Sequence, residues 1–273
     1  MNIENNSFYH IQDIIAKEVK EAFTLRMTDE EKTGAGSSIA SKARYKTPEN
    51  FFPVVVDNFF KDPEELMKLG KSLPKEIIGK QPGKRSKQLW EIDDTLYSTI
   101  LQKILSCYYD LDYVSLTWSA SNMCFHEIDR FSEDKNDIRN KGWIHQDGNV
   151  TVAGLIYLTP DIDPDSGTSL WTLKPNTEIK IQSDYASSDG EEYVKQYLEQ
   201  QELLTEKMRF QNVFNRMIMY DSMEWHGANS YYHEDGKDPR LTLAFFIVGI
   251  ESEIGNGGPK SDFPLKRIKN YYI

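Results

Sequence analysis

The feature that most constrains this chain is a change of hydrophobic period near Val114. Beyond it, apolar residues come in short runs bounded by turn residues: Val114–Phe125, Thr151–Leu158, Ser169–Leu173, Arg216–Tyr220 and Arg240–Ile250. Runs of this length, rich in Val, Ile, Phe and Tyr, read as strands. Ahead of Val114 the spacing is mostly helical. Phe8, Ile11, Ile15, Val19 and Ala22 or Phe23 share one helical face, Asp62-Pro63-Glu64-Glu65 offers an N-cap with Pro at the first helical position, and Asp94–Tyr109 is a further helix. Phe52–Asp57 reads as a short strand, and Ser187–Met208 as a polar helical insert among the later strands. Helices first and strands second predict a mainly β fold with α, a barrel or sandwich buttressed by N-terminal helices.

The length, 273 residues, suits one large β-rich domain. The expected division is a helix and polar loop or lid over 1–50, then a single domain over 51–273 with its strand core at about 114–250. With 32 Lys+Arg against 43 Asp+Glu the net charge is −11, which disfavours generic nucleic-acid binding. No apolar run has the ~18–20 residues of a membrane span, and no basic-then-apolar secretory pattern opens the chain. Cys107 and Cys124 are the only cysteines and make no disulfide scaffold, so a reducing cytoplasm is expected.

Within the strand half, His145-Gln146-Asp147 precedes the apolar run Val150–Leu158, and alternate strand residues share a face. His226 follows far downstream, in Asp221-Ser222-Met223-Glu224-Trp225-His226-Gly227. Two imidazoles and a carboxylate are the donor set that holds a redox-active Fe(II) with open positions. Arg240 then opens the last apolar strand, and Thr242 lies on the same strand face. A dication with free sites and a nearby guanidinium suit a dicarboxylate cosubstrate. A second His-x-Asp, His233-Glu234-Asp235, sits in turn chemistry with no strand and no later histidine, and reads as a solvated loop. His126, at a strand end, reads as a partly buried polar residue, and His10 as a helix-surface residue.

The pattern His145-x-Asp147…His226…Arg240-x-Thr242 resembles that of the Fe(II)/2-oxoglutarate-dependent oxygenases, nearest to their prolyl-hydroxylase-like branch and to microbial or phage-type members. Asp165–Leu170 and Asn215–Asp221 support the resemblance, though Ser166-Gly167 stands where that family usually has Gly-Gly. The resemblance implies a double-stranded β-helix, that is, a jelly-roll or cupin-like barrel. It also implies Fe(II) on His145, Asp147 and His226, 2-oxoglutarate held by Arg240 and Thr242, O2 as oxidant, and hydroxylation of an unactivated C–H bond. Tyr157 and Asn122 are candidate further contacts to the cosubstrate. A carboxylate at Asp147 argues for hydroxylation or desaturation over halogenation, because related halogenases leave that ligand position empty for halide.

Two other classes remain open on the sequence. The same triad can hold Zn(II) and activate water for hydrolysis, and a non-catalytic metal-binding β-barrel module is the third reading. The expected substrate is an amino acid, peptide side chain or other small molecule. Thr28–Asn50, Asp129–Lys141 and Ser187–Met208 are the expected lid and substrate elements. Lys80, Lys84, Arg85 and Lys87 form a basic loop that can face an acidic substrate or simply be solvated.

Overall fold

The helical and strand periods are realised in an ordered series. The computed structural model describes residues 51–78, 82–109, 111, 114–148, 150–177, 190–254 and 260–261. The expected helix over Phe8–Phe23 and the polar segment Thr28–Asn50 lie outside them. The elements are β1 (Val54–Val56), α1 (Pro63–Ser72), β2 (Lys84–Arg85), α2 (Leu89–Ile92), α3 (Asp94–Leu105), β3 (Val114–Thr117) and β4 (Ala120–Ile128). After these come β5 (Val152–Tyr157), β6 (Thr168–Leu173), α4 (Gly190–Leu203), β7 (Leu204–Phe210), β8 (Met217–Asp221) and β9 (Trp225–Ala228). The series closes with β10 (Arg240–Val248), β11 (Glu251–Ile254) and β12 (Lys260–Ser261). Pro63 opens α1 as expected, but Asp62 makes no side-chain cap bond. At α3 the cap is Asp93, which accepts from the Leu96 N–H.

The larger sheet has the antiparallel order β1-β8-β5-β10-β4-β2, and two three-stranded sheets run β7-β6-β9 and β12-β11-β3. β4 and β5 lie in the larger sheet, β6 and β7 in the smaller one, and β8, β9 and β10 then alternate between the two, so the protein is mainly β with packed helices, and its strand order is consistent with a jelly roll. Alternation along the strands sorts the layers. Leu241, Leu243, Phe245 and Ile247 of β10 join Val152, Ile156, Met217, Met219, Met123 and Phe125 in one buried cluster with Leu66, Leu96, Ile100 and Ile104 of the helices. That face is the buttress. The opposite face of the larger sheet contributes Ala153, Tyr157, Ile218 and Tyr220, which pack on Leu170 and Phe210 of the smaller sheet. Residues between the core positions of β10 and β4 therefore point into the space between the sheets: Arg240, Thr242 and Ala244 from β10, and Asn122, Cys124 and His126 from β4.

Three expected boundaries shift. Val114–Phe125 is two strands, broken after Thr117, with β3 and β4 in different sheets. Ser187–Met208 is helical only to Leu203 among the described residues, and the chain then continues as β7. β7 buries only its terminal Leu204 and Phe210, so it carries no apolar alternation, and pairing along β6 rather than burial makes it a strand. His145-Gln146-Asp147 lies before β5 and outside every named strand, in an extended segment that bridges to β9 through His145.

Candidate metal centre

Backbone pairing brings the first and third candidate ligands together. The His145 N–H donates to the His226 carbonyl at 2.9 Å, and the His226 N–H returns the bond to His145 at 2.9 Å. Asp147 is fixed by its N–H to the Ser222 carbonyl, 2.9 Å. The segment carrying His145 is held from outside by α4, where the Tyr193 hydroxyl donates to the Lys141 carbonyl at 2.7 Å and the Gln200 amide donates to the Ile144 carbonyl. One ligand atom from each of His145, Asp147 and His226 lies within 4.8 Å of the others.

The donors face one point. His145 Nε2 is 3.6 Å from Asp147 Oδ1, and His226 Nε2 is 3.2 Å from Asp147 Oδ2. Adjacent donors on an octahedral ion with bonds of ~2.1 Å stand about 3 Å apart, so these separations suit neighbouring positions on one cation. Both rings direct Nδ1 at a carbonyl two residues upstream, His145 to Trp143 at 3.0 Å and His226 to Glu224 at 2.8 Å. A carbonyl accepts only from the Nδ1–H tautomer, which leaves the Nε2 lone pair of each ring for a metal. Burial works against the Asp147 charge, but the two imidazoles outweigh it and hold the carboxyl far below the usual carboxylate range. Burial likewise opposes protonation of His145, and Asp147 with the Trp143 carbonyl reverses the balance, so its pKa is raised. The His226 side chain is 6 % exposed and that of His145 46 %, so the cluster is closed on one side and open on the other. Tyr220 packs its ring 4.7 Å from that of His226.

The second His-x-Asp is elsewhere. His233 Nε2 pairs with Asp129 at 2.6 Å, and Asp235 pairs with Arg130. Neither joins the His145 cluster, in keeping with a loop role.

Between the sheets, Arg240 is 3 % exposed. Among the described residues no carboxylate lies within ion-pair distance of it, and its Nε has no hydrogen-bond partner. Its guanidinium contacts Thr168 Oγ1 at 3.4 Å and faces the rings of Tyr157 at 5.4 Å and Tyr231 at 6.0 Å. Tyr157 donates its hydroxyl to the same Thr168 oxygen, 3.0 Å. Thr242, 1 % exposed, is opposite Tyr157 and His126 in the ladder, and its hydroxyl lies 3.5 Å from the His126 carbonyl. Arg240, Thr242 and Tyr157 thus form one pocket wall. Asn122 does not join it. It is exposed and lies six residues from the Arg240 level, roughly 20 Å along the strand, in the cross-strand row of Phe246, Ala153 and Tyr220. That row is the one beside His226.

Thr168, which ties Tyr157 to Arg240, was not singled out by sequence, nor were Tyr220 and Tyr231. The only signal for Thr168 was its place after Ser166-Gly167. There Gly167 is the indispensable residue, because a Cβ would stand 1.8 Å from the Phe210 carbonyl oxygen. Ser166 departs from Gly without harm to the turn, since its hydroxyl donates to the Asp163 carbonyl at 2.6 Å.

Residues 41–247 match the family described as a family of unknown function, DUF6445. The chain belongs to the DUF6445 family. No curated protein matches the sequence. Among solved structures, this DUF6445 chain is similar to a prolyl hydroxylase from Trichoplax adhaerens in complex with a hypoxia-inducible-factor peptide. The identity is 12 %, the coverage 82 % of this chain and 94 % of that one, and the TM-score 0.41. HygX from Streptomyces hygroscopicus, with nickel and 2-oxoglutarate bound, is 13 % identical over 88 % of this chain and 98 % of its own, TM-score 0.41. The epimerase SnoN, in complex with Fe3+, α-ketoglutarate and nogalamycin RO, is 10 % identical over 85 % and 94 %, TM-score 0.43.

Proposed function

We infer that this protein is an Fe(II)- and 2-oxoglutarate-dependent oxygenase on a double-stranded β-helix, and that it hydroxylates an unactivated C–H bond of an amino acid or peptide side chain. The observation that carries the reading is Arg240. A guanidinium buried to 3 % exposure with no carboxylate beside it, among the described residues, is a costly arrangement unless an anion joins it. A dicarboxylate that reaches from the His145–Asp147–His226 cluster to Arg240 is such an anion. A dication with Asp147 leaves one positive charge, Arg240 adds another, and a 2-oxoglutarate dianion brings the sum to zero. A hydrolytic zinc centre uses the triad but gives Arg240 no ligand.

The fit rests on the donor set: two Nε2 lone pairs held outward by carbonyl-bound Nδ1–H groups, and one ionised carboxylate. When bound, Fe(II) with 2-oxoglutarate and O2 supplies the oxidising power for C–H hydroxylation. The chain supplies position. His145, Asp147 and His226 would hold the ion and leave positions on it open to ligands. Arg240 grips the distal carboxylate, with Tyr157 and Thr168 orienting the guanidinium and Thr242 offering a hydroxyl on the same wall. The apolar inner residues Leu170, Ile218 and Tyr220 keep water from the closed side of the cluster. Asn122, in the row beside His226, stands at the metal end of the pocket.

The test is anaerobic addition of Fe(II) and then 2-oxoglutarate. A visible metal-to-ligand charge-transfer band, with succinate released once O2 is admitted, is expected. A protein that binds Zn(II), shows no such band and releases no succinate is not this enzyme.

A further inference from the structure

The basic loop before α2 contains one residue that the pocket uses differently from its neighbours. In β2, Lys84 is opposite Glu127 and Arg85 is opposite His126. Directly opposed residues of an antiparallel pair project to the same face. Glu127 ion-pairs with Lys75 at 3.2 Å, and its neighbour Phe125 faces the helices two residues along, so Lys84 belongs to the outer face. His126 belongs to the inner face with Cys124, and Arg85 projects there with it. Arg85 therefore ends a cross-strand row that runs Arg85, His126, Thr242, Tyr157, about 10 Å from Thr242 across two strand spacings of ~4.8 Å.

The position is rigid. The Arg85 N–H and carbonyl both pair with Glu76, at 2.8 and 2.9 Å, and the next residue, Ser86, donates its N–H to the Phe125 carbonyl. The side chain is partly buried, and among the described residues it has no ion-pair partner. His126 is unfit to neutralise it: its Nε2 is bound to the Pro82 carbonyl at 2.7 Å, and burial first, then Arg85, push its pKa down to about 3.

With the cosubstrate seated, the ion, Asp147, Arg240 and a 2-oxoglutarate dianion sum to zero. Among the described residues, Arg85 is then a charge left over at the pocket wall. We propose that Arg85 is a specificity-determining residue that binds a carboxylate of the prime substrate, so that the substrate is an amino acid or peptide presenting a free carboxylate near the bond to be oxidised. Guanidinium geometry suits a carboxylate bidentately. The inference rests on the oxygenase reading for its charge count.

The test uses protein loaded with Zn(II) and N-oxalylglycine, an unreactive analogue of the cosubstrate, titrated by calorimetry with matched probes. One pair is N-acetylalanine and its amide, for an α-carboxylate. The other is N-acetylglutamate amide and N-acetylglutamine amide, for a side-chain carboxylate. One carboxylate should bind at least about tenfold tighter than its amide, the scale of a charge-assisted hydrogen bond. Arg85→Gln should erase that difference, and Lys84→Gln, on the outer face, should preserve it. Equal binding of acid and amide, or binding of none of the four, overturns the proposal. So does a loss of N-oxalylglycine affinity in Arg85→Gln as large as in Arg240→Gln, which makes Arg85 a cosubstrate clamp. If wild-type protein binds no N-oxalylglycine, the cosubstrate reading fails separately, and the acid–amide contrast is read on the Zn(II) protein alone.

Discussion

Replacing Arg240 by Met should move stability and ligand binding in opposite directions. The guanidinium is 3 % exposed and its Nε is unsatisfied. An effective desolvation penalty of several kcal/mol per buried ion is only partly offset by the Tyr157 and Tyr231 rings and a long contact to Thr168. Methionine fills a similar volume without the charge. Apolar replacement of buried ions is often neutral or stabilising by ~1–4 kcal/mol, so the ligand-free variant should melt about 2–16 °C higher, at ~2–4 °C per kcal/mol for a chain near this size. The dicarboxylate then loses its partner. Removing one member of a buried pair costs ~3–5 kcal/mol, or roughly two to three and a half decades in affinity. In wild-type Zn(II) protein, 2-oxoglutarate at about 100 times its Kd should stabilise by ~2.7 kcal/mol, and that gain should vanish in Arg240→Met. The assay is a pair of thermal melts, with and without 2-oxoglutarate, for each protein. A variant that melts lower without ligand, or that keeps the ligand-induced rise, would refute the view of Arg240 as a cation awaiting an anion.

His145→Ala, Asp147→Ala and His226→Ala should each abolish 2-oxoglutarate turnover and most Fe(II) affinity, while His233→Ala retains both; metal analysis and succinate release decide it. His126 has a pKa depressed to about 3 in the folded protein, chiefly by burial, against an ordinary value near 6.5. The unfolded chain alone binds that proton between these values, so metal-free stability should be full above pH ~6.5. It should fall by about 1.4 kcal/mol per pH unit as the solution is acidified towards pH 3. Urea melts of wild type and His126→Phe should differ by that slope, and identical acid limbs would count against a buried neutral ring. Gly167→Ala places a methyl 1.8 Å from a backbone oxygen and should destabilise by about 3 kcal/mol, read as a lower urea midpoint at constant m-value.

The sequence exposed the elements whose local signal agrees with their burial. β5, β8 and β10 alternate or run apolar because one face meets the helices and the other the second sheet, and those strands were placed to within a residue or two. β7 reads as helix in the sequence because it buries only its ends, and the four residues of β9 are too few to show a period. The candidate metal cluster is legible because its three donor residues are chemically distinctive and ordered along the chain. The pocket wall was only half legible. Thr168, Tyr220 and Tyr231 are ordinary strand or loop residues in sequence and meet the site only through cross-sheet packing, and sequence does not show that Asn122, a candidate cosubstrate contact, stands in a different cross-strand row from Tyr157.

The paired bonds between His145 and His226 have a consequence for the order of assembly. Two main-chain bonds join these distant positions, so backbone pairing itself meets the entropy of closing the intervening loop. On the oxygenase reading, metal capture should then resemble uptake by a rigid macrocycle, in which the ion has little chain to order. Chelators should therefore strip such a protein without denaturing it, unlike a zinc finger, and metal exchange should proceed at the pace of ligand departure through the open face at His145, with global unfolding no part of the path.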